Sequence, residues 1–442
     1  MSELDRAWSE ASGLEGDDTS TPSPDQLMMR GQIDGHHELL DAQLDDENWH
    51  SIEPESAGTL LRQDTVKPHD RRNNTSTSRS TSTSTRRGPP GTQTELEFSR
   101  SVRWAPWNIS IERRLQTLTV LCHTLSISIF LTTFFFACAI PLFWPLLLPY
   151  LIYISLFSKS ARDGTLSQRS RLLRSLPVWS YFAAYFPARL SRSTTLPPTR
   201  KYIFGYHPHG IISHGAFAAF ATEALGFSNL FPGITNTLLT LDSNFRLPFY
   251  RDYALAMGLA SVSRESCENI LSKGGHDGAG MGRAITIVVG GARESLDARP
   301  GVMRLILKRR RGFIRLAIRT GADLVPVMAF GENDLYEQIS GDGHPIIRRM
   351  QMLVKNVAGF TIPLFHARGV FNYDVGLLPY RRPIHVVVGR PICVVQKKDG
   401  SAEEIERYVD ELQEEYIKEL RRLFESGKEK YGAEHVRMEI IG

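Results

Sequence analysis

Residues 115–158 contain no Asp, Glu, Lys or Arg, and nothing else in the chain constrains its folding as tightly. A helix needs roughly 20 apolar residues to cross a bilayer. The charge-free stretch is about twice that length, so it predicts two spans, at 115–136 and 140–157, with Pro141 and the Trp144-Pro145 pair where a turn or kink belongs. Arg103, Arg113 and Arg114 precede it, and Lys159, Arg162, Arg169 and Arg171 follow it. Basic flanks mark the cytosolic side. Both ends are therefore expected in the cytosol, as a membrane hairpin with the large domain on the cytosolic face. The competing reading is a buried helix pair of a soluble core. Helices of that kind keep a polar face, and the sequence shows none here.

The regions on either side differ in character. Residues 1–56 carry 15 acids against two bases, Arg6 and Arg30, which leaves 50 bases and 33 acids for the rest of the 442-residue chain. A basic body suits an anionic partner, such as a lipid surface, the phosphates of CoA or a nucleic acid. Residues 1–97 end in a Ser/Thr-rich tract and then Arg86-Arg-Gly-Pro-Pro-Gly91. Such composition cannot bury enough apolar surface to offset chain entropy, so a disordered tail is expected. Whether that tail regulates the protein or is merely solvated stays open. Cys122, Cys138, Cys267 and Cys393 form no CxxC pair. The cysteine pattern thus argues against a disulfide framework or zinc site and for a reducing compartment. The N-terminus lacks the basic flank and apolar core of a secretory signal.

Residues 98–175 are accordingly read as the hairpin and its flanks, and 176–442 as a globular α/β domain with a mixed sheet. Strands are predicted at 201–206, 284–289, 324–330 and 385–388, where β-branched and aromatic residues cluster. A helix is predicted over 313–319, stopped by Gly321. Ser401 with Glu404 forms a capping box. Ile405, Val409, Leu412, Tyr416, Leu420 and Leu423 then recur at helical spacing, which predicts one amphipathic helix packed on the domain.

The sharpest chemical feature is Tyr206-His207-Pro208-His209-Gly210, just after a predicted strand. It holds two imidazoles at one strand end, and histidine titrates near neutrality, so it can take a proton from an alcohol. Gly210 permits close backbone approach and an unusual backbone angle. The alternative is a structural or metal-binding pair. No third ligand stands at a local spacing, and no metal is expected. Gly290-Gly291 lacks the Lys-Ser/Thr of a phosphate loop.

Longer blocks surround this motif: Tyr185-Phe186-Pro187, Tyr202 to Gly210, Asn244-Phe-Arg-Leu-Pro248, Ser261-Val-Ser-Arg264 and Val288-Val-Gly-Gly-Ala-Arg-Glu-Ser-Leu296. Arg311 to Ala317, Gly321 to Val327, Phe330-Gly-Glu-Asn333 and Gly389-Arg-Pro-Ile392 complete the set. In this order, over about 177–391, they resemble the diacylglycerol acyltransferase type-2 family, which includes monoacylglycerol and wax-ester acyltransferases. The resemblance implies an acyl-CoA:diacylglycerol O-acyltransferase that makes triacylglycerol. It further implies the endoplasmic-reticulum membrane or lipid-droplet surface, acyl-CoA as co-substrate, no cofactor and no nucleic acid; homo-oligomers stay open. It nominates His207 and His209, with His209 as the base, and Pro208, Gly210, Tyr185, Phe186, Pro187 and Arg311 around the substrate. Related glycerolipid acyltransferases have an Asp five residues after the histidine; counted from His209, that slot is His214. Glu294 is the candidate for the missing acid that orients His209, ahead of Glu223 and Asp242. The basic run Lys308–Arg311 is either a CoA-attracting patch or a solvated face. A monoacylglycerol or wax-ester acyltransferase and a catalytically idle membrane or lipid-droplet scaffold remain the alternatives.

Overall fold

The computed structural model describes residues 102–338, 365–397 and 400–441. The tail expected over 1–97 lies outside them. In chain order the strands are β1 (Arg189–Arg192), β2 (Tyr202–His207), β3 (Thr235–Thr240), β4 (Ala260–Ser261), β5 (Arg283–Val288) and β6 (Val302–Ile306). They continue with β7 (Asp323–Phe330), β8 (Glu337–Gln338), β9 (Phe365–His366), β10 (His385–Val388) and β11 (Arg437–Ile441). Seven of these form one sheet in the order β1-β10-β7-β2-β5-β3-β4. From β7 to β4 all neighbours are parallel, whereas β10 joins β7 antiparallel and β1 follows β10 in parallel. This is the mixed sheet that the sequence predicts.

The central strands are buried on both faces, which explains their near-continuous apolar runs. Along β2, Tyr202, Phe204 and Tyr206 point into a core with Phe182, Phe217 and Phe220. Ile203 points to the opposite core, which is closed by the C-terminal helix Ala402–Lys428. That helix begins with the predicted capping box and buries Val409, Leu412, Tyr416, Leu420 and Leu423. The helix Gly312–Thr320 ends at Gly321 in the left-handed conformation, as expected.

The apolar stretch departs from expectation. Instead of one span over 115–136, the helices Ile111–Thr124 and Ser126–Cys138 meet at 67°. Among the described residues no single helix is long and apolar enough to cross a bilayer. The cause is a polar stripe in the first helix. Gln116 and Thr119 are buried. Arg381 donates to Gln116 Oε1 (2.5 Å), Thr117 Oγ1 (2.8 Å) and the Arg113 carbonyl (2.9 Å). The His123 ring lies 4.1 Å from Phe217 and 4.9 Å from Phe182. Residues 116, 119 and 123 share one helix face, and that face docks on the α/β domain. Further on, Phe130 stacks on Tyr253 (5.2 Å) and the Tyr150 hydroxyl donates to Asp252 (2.6 Å). Phe135, Phe136, Leu146, Leu156 and Phe157 point away from the protein, 66–73% exposed. So much contiguous apolar surface is not stable facing water.

Candidate active site

Three adjacent parallel strands, β5, β2 and β7, end side by side. Their carboxyl ends deliver Glu294, His207–Gly210 and Glu332 respectively. Ligands of α/β sheets bind at this edge.

His207 and His209 part company there. His207 is fully buried on the side of the C-terminal helix, and its Nε2 lies 3.0 Å from the Tyr416 hydroxyl. That hydroxyl donates to the Gly205 carbonyl (3.1 Å), so its lone pair accepts from His207 Nε2–H. Burial lowers the His207 pKa to about 3, so the ring is neutral at pH 7. Gly205 is required for this contact, because a Cβ there would lie 2.0 Å from the Tyr416 hydroxyl oxygen. His207 thus braces β2 against the helix. Tyr416→Phe leaves the His207 Nε2–H and the Gly205 carbonyl without this partner, each buried. We expect a destabilisation of about 1–3 kcal/mol, read as a lowered Tm in detergent, with unchanged turnover per folded molecule.

His209 is half-buried and lies just past the strand end. Its Nδ1 is 3.0 Å from the Gly210 carbonyl, which can only accept, so Nδ1 carries the proton. Nε2 is left with its lone pair, and burial holds the imidazole below its usual 6.5. Ser213 Oγ donates to the His209 carbonyl (2.7 Å) from a left-handed backbone (φ 62°), further pinning the turn. Gly210 also has positive φ (61°), and a Cβ on it would lie 2.7 Å from Glu332 Cγ. Gly210→Ala should displace the turn. A shift of about 1 Å at a reacting group costs on the order of 10²-fold in rate, so we expect kcat to fall by that order with the chain still folded.

Glu294 reaches this turn, but not as the orienting acid expected from sequence. Its Oε1 accepts from the His209 backbone N–H (2.6 Å) and its Oε2 from the Ile306 N–H (2.9 Å), so it holds the main chain and not the imidazole. Burial pushes its pKa up to about 7, against the pull of both N–H groups and Arg310. Glu223 and Asp242 are engaged elsewhere, with Arg174 and with Arg162 and Arg246. Arg311 also lies outside the site, because it pairs with Glu406 (3.6 Å) and Asp410 (2.5 Å) of the C-terminal helix. Arg310 of the same basic run is buried and donates to the Gly290 carbonyl, so the run is neither wholly solvated nor free. Tyr185 and Phe186 are fully buried, whereas Pro187 is exposed. The Tyr185 hydroxyl donates to the Pro379 carbonyl (2.6 Å), and Phe186 stacks on His214 (5.1 Å). Both pack the core beneath the turn.

The sequence reading assigned no role to Glu332. This buried carboxylate lies under Gly210 and accepts at Oε2 from the Tyr206 hydroxyl (2.8 Å) and the Gly215 N–H (2.9 Å). Its Oε1 is buried without a hydrogen-bond partner, and burial raises its pKa to about 7. The available signal was its place: an acid two residues beyond a fully buried strand.

A cavity of about 950 Å³ lies elsewhere, against the helix Ile111–Thr124. Trp104, Trp107, Leu118 and Phe371 wall it together with Arg113 and Arg381. His209 does not line it. Among the described residues, no group of three or more His, Cys, Asp or Glu side chains could hold a metal ion.

Comparison with known proteins places this geometry in a family. A sequence model of the diacylglycerol acyltransferase family matches residues 135–441. Diacylglycerol O-acyltransferase 2A of Umbelopsis ramanniana is 50% identical over 345 residues, which cover 77% of this chain and 94% of the relative. Diacylglycerol O-acyltransferase 2 of Dictyostelium discoideum is 44% identical over 74% of this chain and 96% of the relative. For 2-acylglycerol O-acyltransferase 1 of Bos taurus the figures are 44%, 75% and 96%. The full strand-edge constellation, from Glu294 through the histidine turn to Glu332, falls inside the matched region, and the chain belongs to the diacylglycerol acyltransferase family.

Proposed function

We propose that the protein transfers an acyl group from acyl-CoA to the free hydroxyl of diacylglycerol, with His209 as general base and no cofactor. The observation that carries this is the His209 tautomer: Nδ1–H is committed to Gly210, and the Nε2 lone pair is left at the edge of the parallel sheet on a partly buried residue. In the reaction Nε2 takes the hydroxyl proton as the alcohol oxygen attacks the thioester carbonyl. The tetrahedral intermediate collapses, the C–S bond breaks, and the imidazolium returns its proton to the departing thiolate. A positioned base contributes roughly 10²–10⁴ in rate.

The membrane setting is part of the same reading. The outward-facing phenylalanines and leucines of 126–157 support a re-entrant or broken hairpin seated in the endoplasmic-reticulum membrane, with basic flanks and the α/β domain in the cytosol. Lipid droplets are the second location. The 950 Å³ cavity has exposed tryptophans and arginines at its edge, which suits a lipid chain entering from the interface. A second acceptor, 2-acylglycerol, is suggested by the 44% identity to the bovine relative, below the 50% to the Umbelopsis enzyme.

Microsomes carrying the protein should convert labelled acyl-CoA and diacylglycerol to triacylglycerol. Labelled diacylglycerol from monoacylglycerol, with no triacylglycerol, would move the acceptor to the second reading, and no product from any acceptor would end the enzymatic one. The pH profile follows from His209. Its pKa lies below 6.5, so kcat/KM should be level above neutrality and fall as acid protonates Nε2. A profile that rises steeply above pH 8 would exclude a neutral imidazole base.

A further inference from the structure

The loop that carries Glu332 has a second side. Gly331, Asn333 and Asp334 line a separate pocket of about 260 Å³, closed by residues before β10 and before β11. Its lining brings Arg299 and Arg382, with the imidazoles of His385 and His435, against a single carboxylate, Asp334. Arg382 and His435 act on Asp334, while Arg189 and Lys430 add positive charge beside His385. Tyr431 stacks on His385 at 4.7 Å. The pocket is therefore small, and its two guanidinium groups outnumber its one carboxylate, whereas the larger cavity at the first helix is walled mainly by tryptophan, leucine and phenylalanine.

Only one of the two proposed substrates carries charge. Diacylglycerol is neutral, whereas acyl-CoA bears phosphates on its nucleotide end. We infer that this pocket binds a phosphate group of the CoA portion of the acyl donor, and so anchors the thioester beside the histidine turn from the far side of the 331–334 loop. The inference rests on the acyl-CoA reading above. Guanidinium donors on a phosphate give charge-assisted contacts, to which imidazole N–H groups can add hydrogen bonds, and the carboxyl edge of a parallel sheet is where such ligands sit. Arg310 and Arg311 of the basic run at 308–311 do not offer the same site, because both are held within the fold.

The test compares wild type with Arg382→Glu, and with His435→Gln as the milder variant, using full-length protein in microsomes. The KM for acyl-CoA should rise about tenfold or more, while the KM for diacylglycerol and kcat at saturation stay the same. With an acyl-pantetheine thioester, which lacks the phosphates, variant and wild type should have equal KM. An unchanged KM for acyl-CoA in both folded variants overturns the inference, as does an equal rise for acyl-pantetheine. Stimulation of wild type alone by vesicles containing phosphatidic acid, with KM for acyl-CoA unaltered, would assign the pocket to an anionic lipid headgroup instead. If wild type acylates no acceptor, the catalytic reading fails. Equilibrium binding of CoA, lost in Arg382→Glu, would then still uphold the pocket, and equal binding by both would remove it.

Discussion

Replacing His209 with alanine is expected to lower acyl transfer by roughly 10²–10⁴-fold, the usual contribution of a positioned base, at an unchanged level of folded protein. Two features of the site separate this from a folding defect. The ring's hydrogen bonds are a 3.0 Å contact to the neighbouring carbonyl and a 3.5 Å contact to Ser213 Oγ, and the residue is only partly buried at the end of the strand, so its removal costs less packing than the loss of a core side chain. The bond that anchors the turn comes from the His209 backbone, which alanine retains. His207→Ala is the control of opposite kind. It empties a fully buried site and deprives the Tyr416 hydroxyl of its donor. A loss of about 2–5 kcal/mol is typical of large-to-small changes in a core, so that variant should accumulate poorly. Measured together, acyl transfer per unit of folded enzyme should collapse in His209→Ala and stay near wild type in His207→Ala, where only total activity falls with the protein level. If His209→Ala retained wild-type turnover, the proposed mechanism would be lost.

The two histidines also show where sequence reasoning reaches its limit. Strand periodicity marked the end of β2, and the spacing His207-Pro-His209 placed both imidazoles there. Which of them faces solvent depends on what covers each face of the sheet. On one side that is Tyr416, 207 residues beyond His209 and legible in sequence only as one apolar position of an amphipathic helix. Glu294 was identified as a site residue because it follows a strand and a Gly-Gly turn, yet its partner is a main-chain N–H, and residue type does not encode that. Arg311 misled for the reverse reason. Its charge suggested a phosphate, but Glu406 and Asp410 on a helix almost a hundred residues away neutralise it. The bend at Leu125 belongs to the same class. A charge-free stretch reads as bilayer-spanning, and the docking of Gln116, Thr119 and His123 emerges only once the surface that receives them exists.

Glu294→Gln, though conservative, should be strongly damaging. Both carboxylate oxygens accept from backbone N–H groups, at 2.6 Å from His209 and 2.9 Å from Ile306. An amide has one acceptor oxygen, and its NH2 must then face an N–H. One buried donor is left unsatisfied at a cost of about 1–3 kcal/mol, and the turn that carries His209 loses its seat. Glu332→Gln differs. Both of its hydrogen bonds meet at Oε2, while Oε1 has no partner, so an amide can keep the bonds and place NH2 in the unoccupied direction. The pH dependence separates the two further. Burial raises both carboxyls from 4.5 to about 7. Between those values the folded state holds protons that the unfolded chain has released, so each group's contribution falls as pH rises through that window and is level above it. Glutamine removes that loss. Glu332→Gln should therefore melt at or above the wild-type temperature at pH 8 and lose its advantage near pH 5. Glu294→Gln should melt lower at both, with acyl transfer reduced in step with disorder of the His209 turn. Equal melting and full activity of Glu294→Gln would show that the carboxylate does not hold the turn in place, and Ser213 with Gly210 would have to do so alone.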